Sequence, residues 1–213
     1  MSEAEKNVLP EESAKQGKKK EKKSLGREIM EWILTLGAAA LIALCIRTFI
    51  FEPVMVDGHS MDDTLADHEI MFINKMEYSS AWLFGNKFTF FGNPKRFDVV
   101  ICRYPGRGNT NFVKRVVGLP GDTVEIVAGY LYVNGERYEE PYINDAYRSG
   151  MGYSFPRYTV PEGEYFVMGD HRNNSNDSRA VGSLTRDMIR GHVVQVLFPF
   201  NHWRSIPNGL DVQ

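Results

Sequence analysis

Residues 111–122 read NFVKRVVGLPGD, a run of β-branched, aromatic and basic side chains that ends on a proline-glycine pair. Such a run bounded by turn residues predicts a strand, here over 111–117. Successive residues of a strand point to opposite faces, so Phe112, Lys114 and Val116 are expected on one side and Val113, Arg115 and Val117 on the other. The same signature recurs outward from this segment. FDVVICRY (97–104), DTVEIV (122–127), YLYV (130–133), EYFVMG (164–169) and HVVQVLF (192–198) are separated by Pro-Gly at 105 and 120 and by Asn134-Gly135. The last pair predicts a hairpin between YLYV and ERY. No long 3.6-residue period appears after Glu52, so residues 52–213 are expected to form a mainly β domain. For the aromatic segment SSAWLFGNKFTFFGN (79–93), two readings stand: a packed hairpin, or an aromatic patch dipping into a bilayer interface.

The chain has 213 residues, 43% hydrophobic and 12% aromatic, enough to build one sizeable core. Its net charge of -2 hides an asymmetry: residues 1–27 carry eight Lys/Arg and five Asp/Glu, net +3, and the rest carry 17 and 22, net -5. A mildly acidic body argues against nucleic-acid binding, which needs a basic face. Cys45 lies in an apolar run and Cys102 in an expected strand, so each reads as a small buried hydrophobe. The five histidines are scattered, without the spacing of a zinc site; no metal and no cofactor are expected.

Lys15 to Arg27 (KQGKKKEKKSLGR) reads as a solvated basic tail over 1–27. Trp32 to Ile46 follows without a charge, and Ile29 to Phe51 makes about 20 residues of helix, enough for about 30 Å of hydrocarbon with Glu31 and Arg47 near the interfaces. A membrane helix is therefore expected over 28–51. A cleaved secretory signal competes with an uncleaved anchor, since Ala38 to Ala40 mimics a small-residue cleavage site. That cut would divide the apolar run in its middle, which favours the anchor. Lysines before the span place the tail in the cytoplasm and the body outside.

Three stretches could carry chemistry. Lys114 shares its strand face with apolar neighbours. Desolvation there would lower its pKa and leave a neutral amine able to take a proton from a hydroxyl. The plain alternative is a lysine snorkelling at a sheet edge. Ser60, in GHSMDDTL (58–65), is either a nucleophile or an ordinary turn serine, and the stretch alone does not decide. His59 is a poor base for it, because adjacent residues of an extended chain point apart. GDHRNNSNDSR (169–179) is dense in charge directly after an expected strand, as suits a loop whose side chains bind one another or one that is simply solvated.

GHSMDDTL, KRVVGLPGD and GDHRNNSNDSR, in this order behind one apolar span, resemble the sequence boxes of type I signal peptidases, with FDVV as a further box. The tail and single span resemble the short Gram-positive form. That resemblance implies an antiparallel β-sheet catalytic domain preceded by one transmembrane helix, with Ser60 as nucleophile and Lys114 as general base. By the same resemblance Ser175 orients the lysine amine and Asp170, Arg172, Asp177 and Arg179 match charged positions of the same box, with Asp170–Arg115 and Asp177–Arg179 expected to brace the site. Met61 and Leu65 match pocket-lining positions for small substrate residues, with Val56 and Val113 added by proximity and Gly58 counted with them as substrate-binding. The Ser60 backbone N–H is the first oxyanion donor, worth about 3 kcal/mol. Some relatives place a serine hydroxyl where this chain has Gly58, so the second donor is backbone or water.

Two positions depart from the family pattern: Asp63 stands where proline is usual, and GDHR replaces GDNR through His171. An ionised Asp63 facing Lys114 would raise the lysine's pKa and oppose the base role. The expected function is a membrane-bound serine endopeptidase that removes signal peptides after Ala-x-Ala sites at the outer face of a bacterial cytoplasmic membrane. Its partners would be secreted preproteins, membrane lipids and a nearby export translocon, with no nucleic acid. The alternative is a specialised or non-catalytic factor in pilin or surface-protein assembly. A soluble self-cleaving regulator with Ser/Lys chemistry is disfavoured by the span.

Overall fold

The computed structural model describes residues 25–49, 51–62, 64–78, 80–83, 86–89, 92–108, 110–148, 150, 152–206 and 208. Residues 1–24 of the expected tail and Asp63 lie outside this set. So do the side chains on which the two readings of the aromatic segment turn.

The chain divides into a unit ending at Ile42 and a second running from Ala43 to Gln213. Helix α1 spans Leu25–Phe49, and its Leu25–Cys45 stretch, of mean hydropathy 1.7, is long and apolar enough to cross a membrane. At about 1.5 Å per residue the whole helix is about 37 Å long.

The second unit is built from β1 (Phe51–Met55), β2 (Ile70–Asn74), β3 (Ser80–Leu83), β4 (Asn86–Thr89), β5 (Val99–Cys102), β6 (Phe112–Gly118) and β7 (Thr123–Val127). It continues through β8 (Tyr130–Val133), β9 (Glu136–Arg137), β10 (Phe155–Thr159), β11 (Glu164–Met168), the one-turn helix α2 (Ser178–Val181), β12 (Leu184–Thr185), β13 (Ile189–Phe198) and β14 (Arg204–Ser205). The principal sheet is antiparallel in the order β1-β2-β13-β5-β6-β11-β12, with β14 added to β13. A smaller sheet has the order β10-β7-β8-β9, and β3 pairs with β4 as a separate hairpin. Asn134 (φ 54°) and Gly135 (φ 84°) both occupy the left-handed region, the requirement of a two-residue hairpin turn, and β8 pairs with β9 across them.

Strands without a clean sequence signature have physical reasons for it. Pro53 in β1 and Pro156 in β10 would demote those segments, yet both strands sit at sheet edges, where a missing N–H is tolerated. β13 begins three residues before the expected HVVQVLF because Gly191 is a close-approach residue and not a break. A Cβ there would lie 2.4 Å from Ile73 Cγ2 and 2.9 Å from the Asn74 carbonyl oxygen, so only glycine lets β2 pack this near.

The core falls into three clusters. One gathers Val56, Met61 and Leu65 with Val99, Ile101, Val113 and Val193. A second gathers Val100, Cys102, Val116, Val167 and Leu184. A third joins Phe97, Val117 and Phe166 to the smaller sheet through Val124, Ile126 and Leu131. β6 contributes to all three and β5 to the first two, and every residue of β5 is buried.

Candidate active site

Lys114 projects from β6, an interior strand paired with β5 on one side and β11 on the other. It is therefore no edge lysine with a route to solvent, and it is 2% exposed. Its cross-strand partner is Val100, and its amine lies 5.9 Å from the centre of the Phe112 ring. Nζ is 2.6 Å from Ser60 Oγ and donates to the Val113 carbonyl at 2.9 Å. An ammonium carries three donors and has only these two partners among the described residues, which favours the neutral amine. Burial lowers the lysine's pKa and outweighs the opposing pull of Asp177 and Asp170. The nearby Cys102 thiol is itself pushed up to about 12 by burial, so it stays neutral at working pH.

Ser60 sits on the loop that leaves β1. Met61 and Leu65, 1% and 0% exposed, anchor this loop into the core on either side of a turn closed by Leu65 N–H to the Met61 carbonyl at 2.8 Å. Gly58 adopts φ 101°, a conformation that side chains rarely accept, and its N–H donates to Asp67 Oδ1 at 2.9 Å. That N–H is consequently committed to the Asp67 carboxylate, whose pKa it lowers. No acceptor among the described residues takes the Ser60 N–H.

The 169–179 segment closes over the loop. The His171 N–H donates to the Ser60 carbonyl at 3.1 Å. Gly169 makes this approach possible: a Cβ there would lie 2.4 Å from the Ser60 carbonyl oxygen and 2.3 Å from Ser175 Oγ. Asp170 is fully buried and takes a forked pair of hydrogen bonds from Arg115, Nε at 2.9 Å and Nη2 at 2.7 Å, and a third from Thr64 Oγ1 at 2.5 Å. Arg115 also donates to the Phe97 carbonyl and lies 3.9 Å over the Tyr142 ring. Asp177 receives Arg179 through Nε and Nη2, both at 2.8 Å, and the Gly169 N–H at 3.0 Å. Burial raises the Asp177 pKa, but these hydrogen bonds overcome it and hold the carboxyl below its usual value. Arg172 donates to the Gly169 carbonyl at 3.0 Å and forms a forked pair with Glu140, and both charges are buried.

The structure thus brings Ser60, Lys114, Arg115, Asp170, Asp177 and Arg179 into one connected assembly. Val56 and Val113 join Met61 and Leu65 in a single apolar cluster beside Ser60 and Lys114. Ser175 differs from the role its resemblance implied. Its Oγ is buried and makes no hydrogen bond of ordinary geometry; it lies against Gly169 and near Asp177, and it does not hold the Lys114 amine. Asp63 lies outside the described residues. Sequence reasoning missed Glu140, Tyr142, Thr64 and Asp67. None carries a local signal: Thr64, Glu140 and Tyr142 matter through Asp170, Arg172 and Arg115, distant in the chain, and Asp67 through the Gly58 N–H nine residues before it.

Residues 29–198 match the family model described as signal peptidase, peptidase S26. Signal peptidase I P of Bacillus subtilis subsp. natto is 41% identical over 184 residues, 83% of this chain and 92% of its own. Signal peptidase I T of Bacillus subtilis strain 168 is 39% identical over 211 residues, 94% of this chain and 97% of its own. Signal peptidase IB of Staphylococcus aureus strain COL is 35% identical over 193 residues, covering 84% and 94%.

Proposed function

The chain belongs to the signal peptidases of peptidase family S26, and on that premise we propose that Ser60 is the nucleophile and Lys114 the general base of its signal-peptide cleavage. It is a serine endopeptidase that removes signal peptides from exported preproteins, so the assembly-factor alternative is not favoured. The observation that carries the residue assignment is the 2.6 Å contact between a desolvated lysine amine and a half-buried serine hydroxyl.

In this reading the neutral Lys114 takes the Ser60 hydroxyl proton as Oγ attacks the scissile carbonyl. The Ser60 N–H receives the oxyanion, and the lysine ammonium returns the proton to the leaving amine. The released amine departs, and water repeats the cycle on the acyl-enzyme with Lys114 again as base. Val56, Met61, Leu65 and Val113 form the apolar wall against which the small residues before the cut would rest. Arg115 with Asp170 and Asp177 with Arg179 hold the loop and the lysine surroundings in place.

Helix α1 is the membrane anchor in this proposal, with the Lys-rich segment before it on the cytoplasmic side and the body on the outer face. Lipids and the export machinery would then be its neighbours, and anchoring would confine enzyme and emerging preprotein to one plane, raising their effective concentration.

Cleavage of a preprotein bearing an Ala-x-Ala site by detergent-solubilised protein is the test. Ser60→Ala and Lys114→Ala are each expected to abolish turnover while the fold survives. Turnover by either variant within tenfold of the native rate would refute the assignment. Recovery of the protein in a membrane pellet resistant to high salt, with protease added outside digesting the body and sparing the tail, is the expected result for the anchor. A salt-extractable protein would refute it.

A further inference from the structure

We propose that His171 is a positioning residue that aims the oxyanion donor, a role that rests on Ser60 being the nucleophile. His171 holds two successive carbonyls of the nucleophile loop. Its backbone N–H donates to the Ser60 carbonyl at 3.1 Å, and its ring Nδ1 lies 2.9 Å from the His59 carbonyl oxygen. A carbonyl only accepts, so Nδ1 carries the hydrogen. The peptide between His59 and Ser60 is trans, the single cis bond among the described residues being Phe198–Pro199. In a planar trans peptide the C=O and the following N–H point in opposite directions. Holding the His59 carbonyl toward His171 therefore directs the Ser60 N–H the other way, and no described residue accepts it there. The Asp62 N–H also reaches the His59 carbonyl, at 3.4 Å, and the ring's 2.9 Å contact is the shorter of the two, so losing it would free this peptide plane to rotate and withdraw the donor from the developing oxyanion.

The ring is held to this task from two further sides. Tyr147 packs against it with ring centres 4.0 Å apart, and Asp62 Oδ2 lies 3.2 Å from the same Nδ1. Asp62 also approaches His59 Nδ1 at 3.4 Å, so one carboxylate ties both histidines to the loop. The His171 side chain is 14% exposed, shielded enough for the hydrogen bond to persist against water. Position 171 is also where this chain departs from the GDNR pattern that it resembles. An asparagine amide is likewise a donor able to reach a carbonyl, so the departure preserves the donor while adding a ring that Tyr147 can lock.

The test uses the full-length protein in detergent and the variants His171→Phe, which keeps a ring and removes the donor, and His171→Asn, which keeps a donor and removes the ring. Two probes separate oxyanion contact from ground-state binding: a signal-peptide-derived aldehyde and the matching alcohol. The Ser60 Oγ–H adds across the aldehyde; the Oγ–C bond forms, the C=O π bond breaks, the proton passes to Lys114 and the former carbonyl oxygen takes the charge. The alcohol has no carbonyl and binds without reaction. His171→Phe is expected to lose about 10- to 100-fold in kcat and in aldehyde affinity, with KM and alcohol affinity changed less than about twofold, and His171→Asn to recover to within about threefold of native. Where Phe fails to fold, His171→Leu is the donor-free variant to measure. A donor-free variant with native kcat, equal losses for aldehyde and alcohol, or an Asn variant no better than Phe would each overturn the proposal. Ser60→Ala distinguishes the two levels. If it still turns over substrate, the nucleophile assignment has failed; if it is inactive while His171→Phe runs at the native rate, only the role of His171 has.

Discussion

Adding one methyl group at Gly169 probes how tightly the Ser60 loop is held. A Cβ at this position would lie 2.4 Å from the Ser60 carbonyl oxygen, 2.3 Å from Ser175 Oγ and 2.6 Å from Ser175 Cβ, where ordinary contact begins at 3.4 Å. The φ of Gly169 lies outside the left-handed region, so Gly169→Ala carries no backbone strain and acts only through this clash. Ser175 is buried against the same residue, and the Ser60 carbonyl is fixed by the His171 N–H, so the loop must shift by about 1 Å. A displacement of that size at a reacting group costs about 100-fold in rate, or about 2.7 kcal/mol of barrier. Overpacking adds about 1–3 kcal/mol of destabilisation, a fall of about 2–12 °C in Tm. Gly118→Ala is the matched control. Its Cβ would meet Val124 Cγ2 at 2.6 Å and Phe166 Cβ and Val160 Cγ2 at 3.0 Å, in the third core cluster. Steady-state cleavage of a preprotein, with melting followed by circular dichroism, should show both variants destabilised and only Gly169→Ala slowed. A Gly169→Ala enzyme within threefold of native kcat/KM, or equal rate losses in the two variants, would refute the reasoning.

Lys114→Met replaces a buried amine with an apolar chain of similar length, so it should abolish cleavage and raise Tm. The folded lysine's pKa lies below its ordinary 10.5. The cost of burying the charge is thus fully present below the folded value and vanishes above the unfolded one, so the Tm gain should shrink as pH rises through that window; a pH-independent gain would contradict this. The rising limb of kcat/KM against pH should likewise fall below 10.5, as a pH titration of cleavage will report. Glu140→Gln leaves the Arg172 guanidinium buried without its counter-charge, and a loss of about 3 kcal/mol is expected in denaturant melts; a loss under about 1 kcal/mol would mean that Arg172 is satisfied elsewhere. Asp177, whose folded pKa is lowered, contributes stability that is complete above its ordinary value of 3.8 and is lost as pH falls through the folded value. Asp177→Asn should therefore flatten the acid limb of Tm against pH, and an unchanged limb would assign acid unfolding to other carboxylates.

Local pattern determined much of this protein. Alternation in NFVKRVV and Asn134-Gly135 after YLYV are dictated within a few residues by backbone sterics and side-chain spacing. Most interior strands, the hairpin with its edge strand β9 and the apolar helix were accordingly legible in the sequence, whereas β2 (Ile70–Asn74), interior between β1 and β13, was not among the expected strands. The edge strands β1 and β10 were not legible either, because Pro53 and Pro156 argue against a central strand and only the sheet order reveals that both lie at edges, where a missing N–H is tolerated. The chemistry was divided in the same way. Lys114 could be seen to share a face with Phe112 and Val116, but whether it snorkelled or was buried depended on β5 and β11 flanking its strand. Ser60 could be suspected but not chosen over a turn serine, since its distinguishing feature is an amine 54 residues away. Glu140 on Arg172, Thr64 on Asp170 and His171 on the His59 carbonyl belong wholly to the tertiary level. Each is a hydrogen bond between segments far apart in the chain. Its strength comes from the water that folding excludes, and a sequence read locally contains neither the partner nor the exclusion.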